Sequence, residues 1–233
     1  MSIRKTPFVN GEFYHIYNRG VDKRNIFSDP LDRERFLRSM AEFNVLEPIG
    51  SIYEKFFADK RFGGKASKST QSKRLVNFIT YCLNPNHYHF ILEQVEDRGI
   101  EKFMQRLGTG YTRYFNEKHK RTGSLFQGKF KSIHIDSNEY LLHLSAYVNL
   151  NDRVHKLGEF GGLASKLKKS ESSWREYMGD MENNKKGFCE KDIVLGQFKN
   201  VKEYRTFAEE SLTGILEKRY GGEVPNMEEF LLE

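Results

Sequence analysis

Cysteine is scarce in this 233-residue chain: Cys82 and Cys189 are the only two, far apart, with no CxxC or Cys/His knuckle around either. That spacing excludes a disulfide framework and a structural zinc knuckle, and it implies that both thiols stay reduced. No apolar run approaches the length needed to cross a bilayer, and no charged-then-apolar leader follows Met1, so the expected location is the cytoplasm with no membrane partner. No internal repeat is visible.

What is abundant is charge and aromatic rings. Charged residues make up 30% and aromatic residues 14%, and the net charge of +6 favours a polyanionic partner. The basic residues fall in two stretches: Lys55, Lys60, Arg61, Lys65, Lys68, Lys73 and Arg74, and then Arg113, Lys118, Lys120, Arg121, Lys129 and Lys131. Aromatic side chains interleave with both, a mixture suited to holding a phosphate backbone while stacking on bases.

The pattern predicts a first strand over 13–20 and an amphipathic helix over 30–46, with Phe36, Leu37, Met40, Phe43 and Leu46 three or four residues apart. The stretch 61–72, rich in Gly, Ser and Lys, reads as a mobile basic loop. Strand character over 75–83 and 87–95, broken at Asn84-Pro85-Asn86, predicts a hairpin. A helix over 99–120 follows, its middle weakened by Gly108 and Gly110 and its stop at Gly123. A fourth strand is expected over 129–135, and Asp136 with Glu139 resembles a capping pair opening another helix. The order fits an α+β fold, an antiparallel sheet with helices on one face, close to ferredoxin-like. The charged remainder, with scattered anchors such as Trp174, Tyr204 and Phe207, reads as a small helical C-terminal appendage.

The chemistry concentrates in two places. His87 and His89, two apart just past the hairpin turn, point to one face of a strand and suit half of a divalent-metal site. In the last helix His143, Tyr147 and Asn151 recur every four residues and share a face. A cation held by His87, His89 and the Asn151 side-chain oxygen would polarise a phosphate, and the Tyr147 phenol would attack it. A hard ion, Mg2+ or Mn2+, suits phosphate oxygens. Tyr111 and Tyr114 are rival nucleophiles, but their apolar stripe suits packing or base stacking. His143 reads equally as an orienting group or a surface histidine. Of His15 and Asn18, on opposite faces of the first strand, one backs the site and the sequence leaves open which.

These stretches together resemble a known family. Tyr14-His15-Ile16-Tyr17-Asn18-Arg19-Gly20, Leu83-Asn84-Pro85-Asn86-His87-Tyr88-His89, Tyr111-Thr112-Arg113-Tyr114-Phe115-Asn116 with the block 123–131, and Tyr147-Val148-Asn149-Leu150-Asn151 are similar to single-tyrosine HUH transposases, specifically the REP-associated tyrosine transposases. A weaker similarity continues through 172–177. The resemblance implies an HUH catalytic domain over 1–160 and the appendage over 161–233, with Tyr147 as nucleophile and His87, His89 and Asn151 as metal ligands. It also implies cleavage and rejoining of single-stranded DNA near hairpins through a 5′-phosphotyrosine and a free 3′-hydroxyl. Arg19, Arg113, Arg121, Lys129 and Lys131 are the expected DNA contacts. Relatives commonly have Met and Pro where this chain has Asn84 and Asp152, and Asp152 adds a carboxylate able to compete for the ion. Monomer and homodimer are both compatible with the resemblance. Two other readings are a non-catalytic hairpin-binding protein that keeps the fold, and a plasmid replication or conjugation initiator. The intact set of four residues disfavours the first, and the short chain with one candidate tyrosine disfavours the second.

Overall fold

The computed structural model describes residues 7–49, 52, 73–154, 170–181 and 187–221. The expected basic loop over 61–72, with most of the first basic stretch, lies outside them. Five strands form one antiparallel sheet: β1 (Phe13–Arg19), β2 (Val76–Asn84), β3 (His87–Gln94), β4 (Lys131–Ile135) and the two-residue β5 (Glu171–Ser172). Their order is β4-β1-β3-β2-β5, so the strand that carries the histidine pair is central.

β3 is buried on both faces, and its sequence shows why. Tyr88, Phe90 and Leu92 point to one side, into a core shared with α1 (Pro30–Phe43) and α2 (Gly99–Lys118). His87, His89 and Ile91 point to the other. There Ile91 joins Ile79 and Cys82 in a second core with α3 (Asn138–Asn149) and α7 (Val201–Gly221). The α+β class and the antiparallel sheet match the sequence expectation; the helices, however, occupy both faces rather than one. The physical reason is that a strand with large side chains in both alternating sets needs cover on both sides. β2 keeps step through a register shift between Phe78 and Thr80, where one inserted residue lets Leu83 follow the aromatic face and Asn84 the histidine face.

Local boundaries moved in three places. α1 ends at Phe43, where the Asn44 side chain turns to hydrogen-bond Val76 of β2. α2 ends at Lys118, and Gly123, with φ +83°, sits in the turn beyond it rather than stopping the helix. The cap of α3 is Ser137, whose Oγ accepts the Tyr140 N–H at 3.2 Å, and not Asp136. Gly110 serves packing: a Cβ there would lie 2.7 Å from the Phe43 ring, so its bareness lets α1 approach α2. The later elements α4 (Asn151–Val154), α5 (Trp174–Met178), α6 (Asp192–Leu195) and α7 close the second face. No helix among the described residues is long and apolar enough to cross a membrane.

On the aromatic face, Lys118 bridges the start of α1 to the end of α2, donating to both Asp29 oxygens at 2.8 and 2.7 Å and to Asp32 at 2.8 Å. Burial pushes the Asp29 carboxyl up, but hydrogen bonds from Lys118 and the Asp32 amide outweigh it and hold the carboxyl below its ordinary value. A depressed carboxyl stabilises the fold above its unfolded pKa and loses that contribution as pH falls through its folded one. Asp29→Ser keeps the helix cap and removes the charge. The expected result is a melting-temperature gap between wild type and Asp29→Ser that is constant near neutrality and narrows below about pH 4; a gap independent of pH would contradict it.

Candidate metal and tyrosine site

The tight Pro85-Asn86 connection places Asn84 directly across from His87 in the hairpin register. β1 pairs on the other side of β3, with Tyr17 opposite His89 and Arg19 opposite His87. By alternation His15, Tyr17 and Arg19 therefore share the histidine face, and α3 lies over it. The question left open by the sequence is resolved in favour of His15, since Asn18 turns away to the Gly128 carbonyl at 3.4 Å.

Each histidine is oriented by a neighbour. His89 Nδ1 lies 2.9 Å from His15 Nε2, and His87 Nδ1 lies 2.7 Å from the Asn86 Oδ1. An amide oxygen only accepts, so His87 carries its proton on Nδ1 and turns Nε2 inward as a lone pair. In the tautomer where His89 Nδ1 donates to His15, its Nε2 is likewise a lone pair. Burial, with His89 adding to it, holds His15 well below the ordinary imidazole value, so it serves as a neutral partner. His87 Nε2 is 3.3 Å from Asn151 Oδ1, and the rings of His87 and His89 stand perpendicular with centroids 5.1 Å apart. Two imidazole nitrogens and an amide oxygen make a donor set that fits a divalent cation. The Asn151 Nδ2, in a fully buried side chain, finds no hydrogen-bond partner, so Oδ1 is the arm committed to the site.

Tyr147 projects from α3 onto the same cluster, its ring centroid 5.7 Å from that of His89 and 6.5 Å from that of His15. Sequence spacing put Tyr147 and Asn151 on one continuous helix. In the fold α3 ends at Asn149, Leu150 breaks it, and Asn151 opens α4. The break lets the amide reach His87 while the tyrosine stays over His89. The C-terminal segment holds this helix in place: Asn149 accepts from Ser173 Oγ at 2.6 Å and donates to Tyr204 Oη at 2.9 Å. His143 is exposed, with Nδ1 3.1 Å from Ser211 Oγ, and faces α7 rather than the phenol.

The expected DNA contacts divide. Arg19 and Lys131 border a cleft of about 150 Å³ with Tyr17, His87 and His89, Lys131 lying over the Tyr17 ring. Lys129 is exposed two residues before β4. Arg113 is exposed on α2, across the sheet, and Arg121 is taken up by Asn116 and the Phe115 ring. Tyr111 is buried with its hydroxyl donating to the Ile26 carbonyl at 2.6 Å, and Tyr114 leans on Asp32, as expected of packing residues. Asp152 lines a separate cleft with Arg33, Arg153 and Glu171. Among the described residues Asp29, Asp32 and His119 also group as potential ligands, but the Lys118 ammonium already occupies the cation's place among them. Sequence reasoning missed Asn84 and Tyr17 as site residues; their register opposite His87 and His89 was the available signal.

Fold and site together define a class: an antiparallel α+β protein whose central strand presents a His-x-His pair beneath a tyrosine on a covering helix. The segment 58–151, about two-fifths of the chain, matches the family model described as IS200-like transposase. The matched segment contains His87, His89, Tyr147 and Asn151. Among solved structures the chain is similar to a REP-associated tyrosine transposase bound to a REP hairpin, 11% identical with a TM-score of 0.41 over 66% of this chain and 74% of that one. It is also similar to tRNA(His) guanylyltransferase from Saccharomyces cerevisiae, 10% identical with a TM-score of 0.36 over 95% of this chain and 84% of that one. No curated protein matches the sequence.

Proposed function

We propose that this protein is a metal-dependent single-stranded DNA endonuclease and strand transferase that acts near DNA hairpins through a 5′-phosphotyrosine. The observation that carries the reading is the Tyr147 ring set against His89 and His15 on the His-x-His face. The Tyr147 oxygen attacks the scissile phosphorus and loses its proton, the bond to the 3′-oxygen breaks, and that oxygen leaves as a hydroxyl. The new tyrosyl ester keeps the phosphodiester energy, so attack by another 3′-hydroxyl reverses the step and rejoins DNA. His87, His89 and Asn151 would hold Mg2+ or Mn2+, which when bound supplies polarisation of the phosphate. Arg19 and Lys131 clamp the backbone beside it, and Tyr17 offers a ring for stacking. Tyrosine and histidine pair come from one chain, so a single copy carries a complete set of these groups.

The testing experiment is incubation of labelled hairpin-bearing single strands from the flanks of the encoding gene with Mn2+ or chelator. A covalent adduct on denaturing gels only with the metal supports the reading. One observation favours a second reading, a non-catalytic hairpin binder: Tyr147 is 4% exposed. Hairpin binding without an adduct, across metals and flanking sequences, would establish that alternative.

Because phosphate neutralisation supplies most non-specific affinity, Arg19→Ala and Lys131→Ala should each weaken strand binding and lower the salt slope by about 0.7. Arg113→Ala, on the far face, should leave the slope unchanged. Affinity measured against salt for the three variants checks the assignment, and equal slopes would overturn it.

A further inference from the structure

The Asn84 side chain is fully buried at the end of β2, and its amide nitrogen stands where lone pairs converge. Nδ2 donates to Asn151 Oδ1 at 2.5 Å and lies 2.7 Å from His87 Nε2, two atoms themselves 3.3 Å apart. His87 Nε2 carries no proton, since its Nδ1–H is used on Asn86, so both neighbours accept. A positive centre is what this point calls for, and the N–H arm of Asn84 fills it. The other arm, Oδ1, accepts from Ser170 Oγ at 2.8 Å and faces Cys82 Sγ at 3.6 Å.

An amide presents oxygen and nitrogen on interchangeable arms. Rotated by half a turn, Asn84 donates from Nδ2 to the Ser170 hydroxyl, which accepts as readily as it donates, and Oδ1 joins the two inward lone pairs. Three such atoms repel one another unless a cation lies among them. Ligands about 2.1 Å from an octahedral ion stand about 3 Å apart, close to the 2.5, 2.7 and 3.3 Å found here. We propose that Asn84 is a fourth protein ligand of the cation: with its amide turned, its oxygen coordinates Mg2+ or Mn2+ beside His87 and Asn151. This inference rests on the metal site of the proposed function and adds a ligand to it. An extra neutral oxygen donor beside two imidazoles shifts the site toward hard ions.

Mn2+ binding to the full chain without DNA, followed by the electron-paramagnetic-resonance signal of the free ion, tests it with Asn84→Leu, Asn84→Asp and His87→Ala. Asn84→Leu should raise the Mn2+ Kd about tenfold or more. Asn84→Asp keeps an oxygen and adds charge, so it should bind at least as tightly as wild type. A residue that merely braces Asn151 by donation behaves oppositely, because a carboxylate has no proton to donate and binding would fall in both variants. Wild-type affinity in Asn84→Leu, or weakened binding in Asn84→Asp, overturns the proposal while loss in His87→Ala leaves the metal site standing. If wild type and His87→Ala are indistinguishable, the underlying metal reading fails and this one with it. Should Asn84→Leu fail to fold, by its melting curve, the aspartate variant decides alone.

Discussion

Tyr147→Phe is expected to abolish the covalent protein–DNA adduct, lowering strand cleavage by at least ~10^3-fold, while hairpin affinity stays within a few-fold of wild type. The substitution removes one oxygen and keeps the ring that packs beside His89 and His15 and contributes to the second core. Losing a single hydroxyl contact costs about 1 kcal/mol of stability, too little to unfold the protein. Cleavage and binding therefore separate cleanly in this variant. Adduct formation on denaturing gels beside affinity on native gels makes the comparison. Persisting adduct in Tyr147→Phe would move the nucleophile elsewhere, although Tyr111 and Tyr114 are committed to the aromatic core and to Asp32.

The second large effect sets neighbours on one strand against each other. Phe90 is fully buried on the aromatic face, its ring 4.7 Å from Tyr88 and 5.4 Å from Phe78, so Phe90→Ala should cost about 3–5 kcal/mol through lost burial and a cavity. That is a large share of the ~5–15 kcal/mol that holds an ordinary domain folded. His89→Ala, one residue earlier, faces the other way and leaves His15 Nε2 without its 2.9 Å partner, a smaller cost of about 1–3 kcal/mol. It should instead lose Mn2+ binding and metal-dependent cleavage. Urea unfolding and Mn2+ titration of the two variants should show reversed rankings. Similar destabilisation with metal binding retained in His89→Ala would remove that histidine from the site.

Much of this was legible in the residues because the signals are local. The His-x-His spacing, the two-residue turn after Asn84, the apolar spacing of α1 and α2 and the basic-aromatic mixture depend on neighbours along the chain, where strand and helix periods apply directly. Tyr147 was reachable through helical spacing, but the continuous helix to Asn151 was not what forms. Leu150 interrupts it because Asn151 is drawn to His87 and Asn84 across the sheet, a contact 64 residues distant in sequence for the histidine. The expected DNA contacts divide for the same reason: composition groups Arg113 with Lys131, but α2 lies on the aromatic face while Lys131 lies over Tyr17 on the histidine face, beside Arg19 at the cleft.

By itself, then, the sequence determined the strand that carries the histidines, the helix that carries the tyrosine, an α+β plan, and a net positive charge that favours a polyanionic partner. Tertiary structure alone decided that His15 rather than Asn18 backs His89, that Asn84 enters the site, and that helices cover both faces of the sheet. Register and layer are set by pairing between distant segments, where one residue of shift exchanges every side chain between faces, and no local pattern carries that choice.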